Sequence, residues 1–327
     1  MSVLNERPIV MICGPTASGK SALAKRLCAR LPCEIVSADS VQVYREFDIG
    51  TSKPHPDEQD AVKHHLVDIL EPRQNFSAHD FQLRADEAIR DIQSRSHIPL
   101  IVGGSSLYVQ ALVQGLFDAP KADEEIRSRH KAIIKGEGLD ALYQRLQTID
   151  PISCERIHAN DAVRISRALE VFEQTGVPIS EHRKAHQFKQ QRYHAMIFSI
   201  CLPRESLRDR IRNRVDEMIS MGLVEEVQAL LAKGYGGTQP MRSLGYRQIQ
   251  AHLTGETDLL FAISKIKKLT WRFAKRQIRQ LSAFESSMGL KSLHCQSSKD
   301  IDIDAIVEAI TNNECKVPIC DLSTLGV

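Results

Sequence analysis

The sequence predicts an α/β protein in which helices flank a parallel sheet and an all-helical domain is inserted into the chain of the sheet. Two observations predict this fold class. Short apolar runs alternate with amphipathic segments through residues 9–102, which is typical of βαβ units, and no strand pattern interrupts 122–194. We therefore divide the 327 residues into a discontinuous core (1–121 and 195–290), a helical insertion and a peripheral C-terminal tail (291–327).

The strands of the core are predicted from apolar runs that are too short for helices and too continuous for a half-exposed sheet. These runs are Ile9–Cys13, Cys33–Val36, Pro99–Val102 and Met196–Leu202. The helices are predicted from apolar residues three and four positions apart, as in Leu23, Leu27 and Leu31. The strongest further helical segments are 139–148, 162–175, 205–233 and 264–284.

The composition is that of an ordinary globular protein, with 26% charged residues, 42% hydrophobic residues and a net charge of +2. These values exclude a disordered, collagen-like or coiled-coil chain. No stretch approaches the ~18 apolar residues of a membrane span, and the N-terminus has no apolar signal core. We therefore expect a cytoplasmic protein without a membrane partner, and we expect a monomer.

The eight cysteines form no Cys-x-x-Cys pair, and most of them lie in apolar or helical surroundings. This distribution predicts reduced, buried thiols in a cytosolic chain. His294, Cys295, Cys315 and Cys320 lie close together in sequence, but their spacing fits no common zinc pattern.

A phosphate-binding loop follows the first predicted strand. Residues Gly14, Pro15, Thr16, Ala17, Ser18, Gly19, Lys20 and Ser21 match the pattern G-x-x-x-x-G-K-[ST]. In such a loop the backbone N–H groups and the helix N-terminus surround a phosphate, the lysine adds a positive charge and the serine hydroxyl can ligate Mg²⁺. The fold predicted is therefore a P-loop NTPase-like sheet.

The usual second acidic residue of P-loop ATPases is missing from its expected place. The strand at 99–102 ends in Gly103-Gly104 rather than in aspartate, and no guanine-reading Asn-Lys-x-Asp segment occurs. Asp39 instead follows the second strand, at the edge of the sheet where ligands bind. This carboxylate is a candidate general base or Mg²⁺ ligand, and the alternative is a turn or helix-capping aspartate.

Several further motifs occur in a characteristic order along the chain. They are Asp39–Tyr44, Asp48–Pro54, His64–Asp68, Phe76–Phe81, Val102–Tyr108, Asn160–Val171, Ser243–Gln248 and Ala274–Gln277. Together with the phosphate loop, this set resembles the tRNA dimethylallyltransferases (tRNA isopentenyltransferases). The resemblance spans roughly residues 8–282.

The resemblance implies transfer of a dimethylallyl group from dimethylallyl diphosphate to N6 of adenosine 37, beside the anticodon of tRNAs that read codons beginning with U. Asp39 then matches the general base and Lys20 is a second catalytic candidate, and the loop with Lys20 and Arg214 would hold the diphosphate. Mg²⁺ is the implied cofactor, bound by Ser21 with Asp39 as a possible second ligand. Ser105 matches a further catalytic position, where the family usually has threonine.

The same resemblance implies a surface for the anticodon stem-loop of tRNA. Its candidate contacts are Asp39, Ser40, Val41, Gln42, Ser105, Arg127, Val163, Arg164, Ile165, Ser166, Arg167, Arg242, Ser243, Leu244, Gly245, Tyr246, Arg247, Lys275, Arg276, Gln277 and Arg279. In one segment the chain departs from the family, because Ile278–Ser282 lacks the usual Thr-Trp-x-Arg.

Positive charge is concentrated although the total is small. Residues 262–284 contain seven basic residues and no acidic one, interleaved with Trp271 and Phe273, and 182–194 contains four more basic residues and three histidines. Such segments are typical of contacts with RNA phosphates and unstacked bases. The alternative is a solvated basic helix face.

Two other functions remain open from the residues. A small-molecule or nucleotide kinase would use ATP at the same loop, with Asp39 as base and the helical insertion as a lid. A non-catalytic RNA-binding switch would use the basic segments without chemistry.

Overall fold

The computed structural model describes residues 8–117, 120–186, 192–288, 293–294 and 301–313. The chain forms two compact units, one within Met1–Val113 and Arg192–Val327 and the other within Gln114–Gln191.

The first unit is built on a six-stranded sheet in which every pair of neighbouring strands is parallel. The strands are β1 (Ile9–Cys13), β2 (Cys33–Ser37), β3 (His64–His65), β4 (Ile98–Gly103), β5 (Ala195–Cys201) and β6 (Leu293–His294). Their order across the sheet is β3-β2-β4-β1-β5-β6. The four strands predicted from apolar runs are all present, whereas β3 and β6 are too short to produce a sequence pattern.

Helices cover both faces of the sheet and are the regular structure of the second unit in its described residues. They are α1 (Lys20–Cys28), α2 (Pro56–Ala61), α3 (Ala78–Ser94), α4 (Ser106–Gln114), α5 (Glu124–Glu137), α6 (Leu139–Ile149), α7 (Pro151–Cys154), α8 (Ala162–Thr175), α9 (Ile179–His186), α10 (Arg204–Ser220), α11 (Leu223–Ala232), α12 (Tyr246–Leu253), α13 (Leu259–Met288) and α14 (Ile303–Thr311).

Strand β1 lies at the centre of the sheet and separates two hydrophobic cores. Its residues are all almost fully buried, and they alternate between the core that includes Met11 and Tyr246 and the core that includes Ile12 and Ile306. A continuous apolar strand is required there because helices exclude water from both faces of the sheet. The same strand then delivers the phosphate loop to the carboxyl edge.

Two segments differ from the sequence prediction. The single helix expected over 205–233 is divided into α10 and α11, because Gly222 adopts a left-handed conformation with φ 99° and caps the second helix. We expected 291–327 to lie at the periphery, but its described residues are integrated into the unit. Strand β6 extends the sheet, and Ile303 and Ile306 of α14 are buried in a core.

The second unit has a small core of its own, which includes Leu142, Leu146, Ile165 and Leu169. In the described ranges it contains helices and no strand, as the sequence predicted. No helix in any described range has the combination of length and apolar character that a membrane crossing needs.

Candidate active site at the phosphate-binding loop

The loop between β1 and α1 is wound tightly enough to require unusual backbone conformations. Gly14, Ala17 and Gly19 all have positive φ angles, of 151°, 63° and 100°. A Cβ atom on Gly14 would lie 2.8 Å from the Ser18 hydroxyl, so a larger residue does not fit. Left-handed residues of this kind let a loop wrap around an anion at the N-terminus of the helix that follows, which is the position of this loop before α1.

Lys20 lies inside this loop, where its ammonium donates a 2.7 Å hydrogen bond to the carbonyl of Pro15. Burial and the nearby Arg214 lower the pKa of Lys20 to about 8, and Asp39 opposes them. Burial likewise lowers the pKa of Arg214, again against the influence of Asp39. The three side chains therefore form one electrostatic cluster with two cations and one carboxylate.

Asp39 belongs to a tight turn directly after β2. Its Oδ1 accepts hydrogen bonds from the backbone N–H groups of Val41 (2.8 Å) and Gln42 (3.2 Å). Within the described part of the chain, no hydrogen bond reaches the other oxygen, Oδ2. The turn expected as an alternative to a catalytic role is thus present, and it fixes one carboxylate oxygen while leaving the other available for a substrate proton.

The carboxyl ends of β2 and β4 approach each other closely beside Asp39. A Cβ atom on Gly103 would lie 2.4 Å from the backbone oxygen of Ala38, so only glycine fits this position. Ser105 follows two residues later and is partly exposed. The glycine pair that replaces the usual aspartate therefore allows the two strand ends to pack together and positions Asp39 and Ser105 at the same edge.

Gln277 of α13 connects the phosphate loop to the end of β4. Its Oε1 accepts a hydrogen bond from the Thr16 N–H (2.9 Å), and its Nε2 donates to the Gly104 carbonyl (2.9 Å). Only 6% of Gln277 is exposed. The sequence indicated a tRNA contact at this residue, and the structure gives it a buried bridging position; no pattern within α13 could have revealed the bridge.

Two arginines of α10 lie against the site, one at the phosphate loop and the other at Thr51. The Arg210 guanidinium lies 3.5 Å from the Ala17 carbonyl and 3.4 Å from that of Ser18, and Arg214 lies 3.5 Å from the carbonyl of Thr51. Gln42 also donates to the Thr51 carbonyl (3.2 Å). Thr51 is thus a structural member of the site; the sequence analysis placed it in a motif but not among the candidate site residues.

The segment Arg242–Arg247 contains both buried residues, which pack inside the protein, and exposed residues. Tyr246 is fully buried and donates a hydrogen bond to Glu226, whose carboxylate also accepts the Ile49 N–H (2.7 Å). Burial and the Glu226 charge raise the pKa of Tyr246. Arg242 and Arg247 are exposed, Ser243 and Leu244 are partly exposed, and Gly245 is buried. The two arginines are therefore the accessible members of this predicted tRNA contact.

The basic residues of α13 lie on its exposed side. Lys275, Arg276 and Arg279 are exposed. The ammonium of Lys275 lies 5.6 Å from the ring centre of Trp271, and the Arg276 guanidinium lies 5.4 Å from that of Phe273. Four residues of α13 were predicted to contact tRNA, and of these only Gln277 is buried.

In the helical unit, a buried carboxylate organises the predicted contacts. Glu170 has no exposed surface, and it accepts hydrogen bonds from Arg127 (3.0 Å) and Arg167 (2.7 Å). Ile165 is also fully buried, whereas Val163 is 80% exposed. The remaining two predicted residues are Arg164, which is exposed, and Ser166, which lies 2.8 Å from a ring nitrogen of His130.

Comparison with known proteins assigns a family to this chain. The model of the family described as IPP transferase matches residues 42–282. A tRNA dimethylallyltransferase of Geobacter metallireducens is 49% identical over 271 residues, which cover 83% of this chain and 88% of that protein. The crystal structure of the full-length tRNA isopentenylpyrophosphate transferase of Bacillus halodurans is 35% identical and has a TM-score of 0.66, over 94% of this chain and 95% of that one. The P-loop, the Asp39 turn and these similarities lead to one conclusion, that the chain belongs to the IPP transferase family.

Proposed function

We propose that this enzyme transfers the dimethylallyl group of dimethylallyl diphosphate to N6 of an adenosine in tRNA. The names of the related proteins support the reaction and its RNA substrate. The observation that carries the proposal is the cluster of Lys20, Arg214 and Asp39, because it combines two cations for a leaving diphosphate with one carboxylate for a departing proton.

The loop and its cations would stabilise the leaving group. As the bond between the allylic carbon and the diphosphate oxygen breaks, negative charge develops on that oxygen. The loop at the start of α1 and the ammonium of Lys20 would supply the hydrogen-bond donors and positive charge that stabilise it. Lys20 would exchange its 2.7 Å hydrogen bond with the Pro15 carbonyl for one with a phosphate oxygen.

Asp39 would act on the nucleophile. The N6 amine of adenine is weakly nucleophilic because its lone pair is delocalised into the ring. A carboxylate that accepts a proton from N6 as the carbon–nitrogen bond forms would accelerate the step by ~10²–10⁴. The Asx turn supports this role, because it holds Asp39 through Oδ1 alone.

Mg²⁺ is part of the proposal, and the donor set suits it. The Ser21 hydroxyl is exposed at the first turn of α1 and Asp39 offers a carboxylate, so both donors are oxygen, as Mg²⁺ prefers. The described residues contain no group of three or more histidine, cysteine, aspartate or glutamate side chains that could hold a metal. The ion would therefore complete its coordination with diphosphate oxygens and water, and it would supply Lewis-acid assistance to the leaving group.

The finer substrate assignment is adenosine 37 of the anticodon stem-loop, in tRNAs that read codons beginning with U. The exposed Arg242, Arg247, Lys275, Arg276 and Arg279 in the first unit favour contact with RNA phosphates. The position and the codon preference follow from the resemblance to the family. An unpaired loop adenosine can leave its stack at small cost, which suits a reaction at N6. We also propose that the enzyme works as a monomer in the cytoplasm, where tRNA is modified.

The decisive experiment is mass spectrometry of tRNA nucleosides after incubation of unmodified tRNA with dimethylallyl diphosphate, Mg²⁺ and the protein. We expect N6-(dimethylallyl)adenosine at position 37. Asp39→Asn and Asp39→Ala should lower its rate of formation about 10²-fold or more while tRNA binding persists. Asp304→Asn, in an exposed residue of α14, is the matched control and should be fully active. ATP hydrolysis or phosphoryl transfer without prenylation would indicate a kinase and overturn the proposal.

A further inference from the structure

The carboxylate of Glu226, in the first turn of α11, accepts hydrogen bonds from successive backbone N–H groups of one loop. Its Oε2 accepts from Ile49 (2.7 Å) and Asp48 (3.3 Å), and its Oε1 accepts from Gly50 (3.4 Å). The Tyr246 hydroxyl also donates to Oε1. This set of donors suits an ionised carboxylate, which offers two accepting oxygens and no hydrogen of its own.

Packing and further hydrogen bonds hold the same loop in place. A Cβ atom on Gly50 would lie 2.4 Å from the Tyr246 ring, so the backbone at Gly50 packs directly against a fully buried side chain. The Thr51 hydroxyl donates to the carbonyls of Phe47 (2.8 Å) and Asp48 (3.0 Å). The loop 48–52 is therefore held by Glu226 and Tyr246 from neighbouring helices and by Thr51 from within.

The carbonyl groups at the end of this loop contact residues of the candidate active site. The Thr51 carbonyl lies 3.5 Å from the Arg214 guanidinium. The side-chain amide of Gln42 donates to the carbonyls of Thr51 and Ser52, both at 3.2 Å, and the Gln42 N–H donates to Asp39 Oδ1. The loop therefore contacts both the cation assigned to the diphosphate and a residue that holds the proposed general base.

We propose that Glu226 is a positioning residue for prenyl transfer, which acts through the loop 48–52 on Arg214 and on the Asp39 turn. This inference rests on the proposed function and extends it to a residue outside the motifs that mark the site. The carboxylate fixes the loop backbone, and the Thr51 carbonyl then fixes the Arg214 guanidinium.

The positioning role and the charge of Glu226 predict opposite effects on diphosphate binding. Removal of one negative charge from the protein strengthens the binding of an anion through Coulomb forces alone. Removal of the acceptor for three N–H groups and a hydroxyl instead loosens the loop and the Arg214 contact, which weakens binding. The sign of the change therefore separates the two effects.

Calorimetric titration of the full chain with inorganic diphosphate and Mg²⁺ measures this sign. We expect Glu226→Gln to weaken diphosphate binding about fivefold. In the Arg214→Ala background the same substitution should weaken it less than about twofold, because the residue through which it acts is gone. Binding in Glu226→Gln that is tighter or essentially unchanged, or a weakening in the Arg214→Ala background as large as in the wild type, would overturn the proposal.

Two further variants separate positioning from a general loss of structure. Tyr246→Phe keeps the ring against Gly50 and removes one donor to Glu226, so it should weaken diphosphate binding by a smaller factor. Glu225→Gln is the matched control, because it removes the same charge from an exposed residue in the same helix turn, and it should leave the affinity unchanged. Lower stability of Glu226→Gln and Tyr246→Phe in urea, without lower affinity in either, would show a purely structural role and refute positioning.

The rate of prenyl transfer provides a second readout. With saturating substrates, Glu226→Gln should lower kcat about tenfold because the Asp39 turn loses support, while the Kd for tRNA stays within about twofold. An unchanged kcat would refute the action on Asp39. If the wild-type protein binds diphosphate and Glu226→Gln weakens that binding, but no prenylated adenosine forms, the proposed function fails and the positioning of Arg214 stands.

Discussion

Lys20, Asp39 and Arg214 show how single residues acquire functional properties from their neighbours. Lysine ordinarily titrates near pH 10.4. Here burial and Arg214 lower the pKa of Lys20 to about 8, although Asp39 opposes the shift. A diphosphate would add negative charge next to the ammonium, so the pKa of Lys20 should rise when the ligand binds.

This coupling predicts that diphosphate affinity depends on pH. Below about pH 8 Lys20 is already charged, and above it each binding event requires uptake of a proton. Affinity for the unreactive thiolo analogue of dimethylallyl diphosphate should therefore fall above about pH 8, by at most about tenfold per pH unit. Calorimetry in buffers of different ionisation enthalpy measures both the affinity and the proton uptake. Lys20→Arg should remove the decline near pH 8, and an unchanged pH profile in that variant would contradict the assignment.

Gly103 provides a test of the close contact between β2 and β4. In Gly103→Ala the new Cβ would lie 2.4 Å from the Ala38 oxygen, so the end of β2 and Asp39 must move. We expect a loss of about 1–3 kcal/mol in the free energy of unfolding. Prenyl transfer should also fall about 10²-fold, because the displaced carboxylate lies next in sequence.

Gly136→Ala is the matched control for that substitution. A Cβ atom there would meet nothing within 4 Å, and the residue lies inside α5. Because alanine favours helix more than glycine, this variant should be as stable as the wild type or more stable by up to about 1 kcal/mol. Equal effects of the two substitutions in urea unfolding would show that the strand contact is not responsible.

At the scale of elements, α13 combines two functions on its two sides. Ala274 and Gln277 face inward, where Gln277 connects the phosphate loop to the end of β4. Lys275, Arg276 and Arg279 face outward. One helix therefore both braces the phosphate loop and presents positive charge on its outer side. If RNA binds the outer side, as we propose, its position would be coupled to that of the loop.

The exposed charges of α13 predict a specific salt dependence of tRNA binding. Each phosphate contact contributes roughly 0.7–0.9 to the slope of log K against log salt. The double variant Lys275→Ala/Arg276→Ala should therefore lower the magnitude of this slope by about 1.5, as measured by filter binding at several salt concentrations. Arg30→Ala is the control, because Arg30 is exposed at the amino edge of the sheet, near β2, and pairs with Asp304. An unchanged slope in the double variant would remove α13 from the RNA contact.

For the whole molecule, an ionic cluster supports the edge of the sheet opposite the active site. Glu34 is 4% exposed and accepts hydrogen bonds from Arg95 (2.9 and 3.0 Å), His65 (2.7 Å) and His97 (2.9 Å). Burial alone would raise the pKa of Glu34, but these hydrogen bonds outweigh it and lower the pKa to about 2. The ionised form is thus stabilised by folding.

This cluster predicts an acid-sensitive contribution to stability. Because the folded pKa lies below the unfolded one, the contribution is fully present above about pH 4.5 and is lost as the pH falls toward 2. Glu34→Gln should lower the free energy of unfolding by about 2–3 kcal/mol at pH 7 and weaken its decline in acid. Asp304→Asn, in a mostly exposed pair with Arg30, should change it by less than about 1 kcal/mol. Denaturant unfolding at several pH values measures both, and parallel curves for wild type and Glu34→Gln would refute the prediction.

The elements that the sequence predicted are those with strong local signals. Strand β1 is a continuous apolar run, the loop at Gly14–Ser21 has a fixed pattern, and α8 was predicted with its bounds Ala162–Thr175. The break between α10 and α11 was missed, because a single glycine within an amphipathic stretch does not by itself show a left-handed conformation. The membership of α14 in a core was missed because its partners lie far away in sequence.

Within the site, the sequence by itself determined the phosphate loop and the carboxylate after β2, because each depends on local backbone chemistry and on the rule that parallel strands end at one edge. Only the tertiary structure decided which residues position these groups and shift their pKa values. Gln277 reaches Thr16 across 261 residues, and the pKa of Lys20 depends on Arg214 from another helix. The physical reason is that hydrogen bonds and charges act through space, so residues with no sequence relation set the geometry and ionisation of those that the motifs identify.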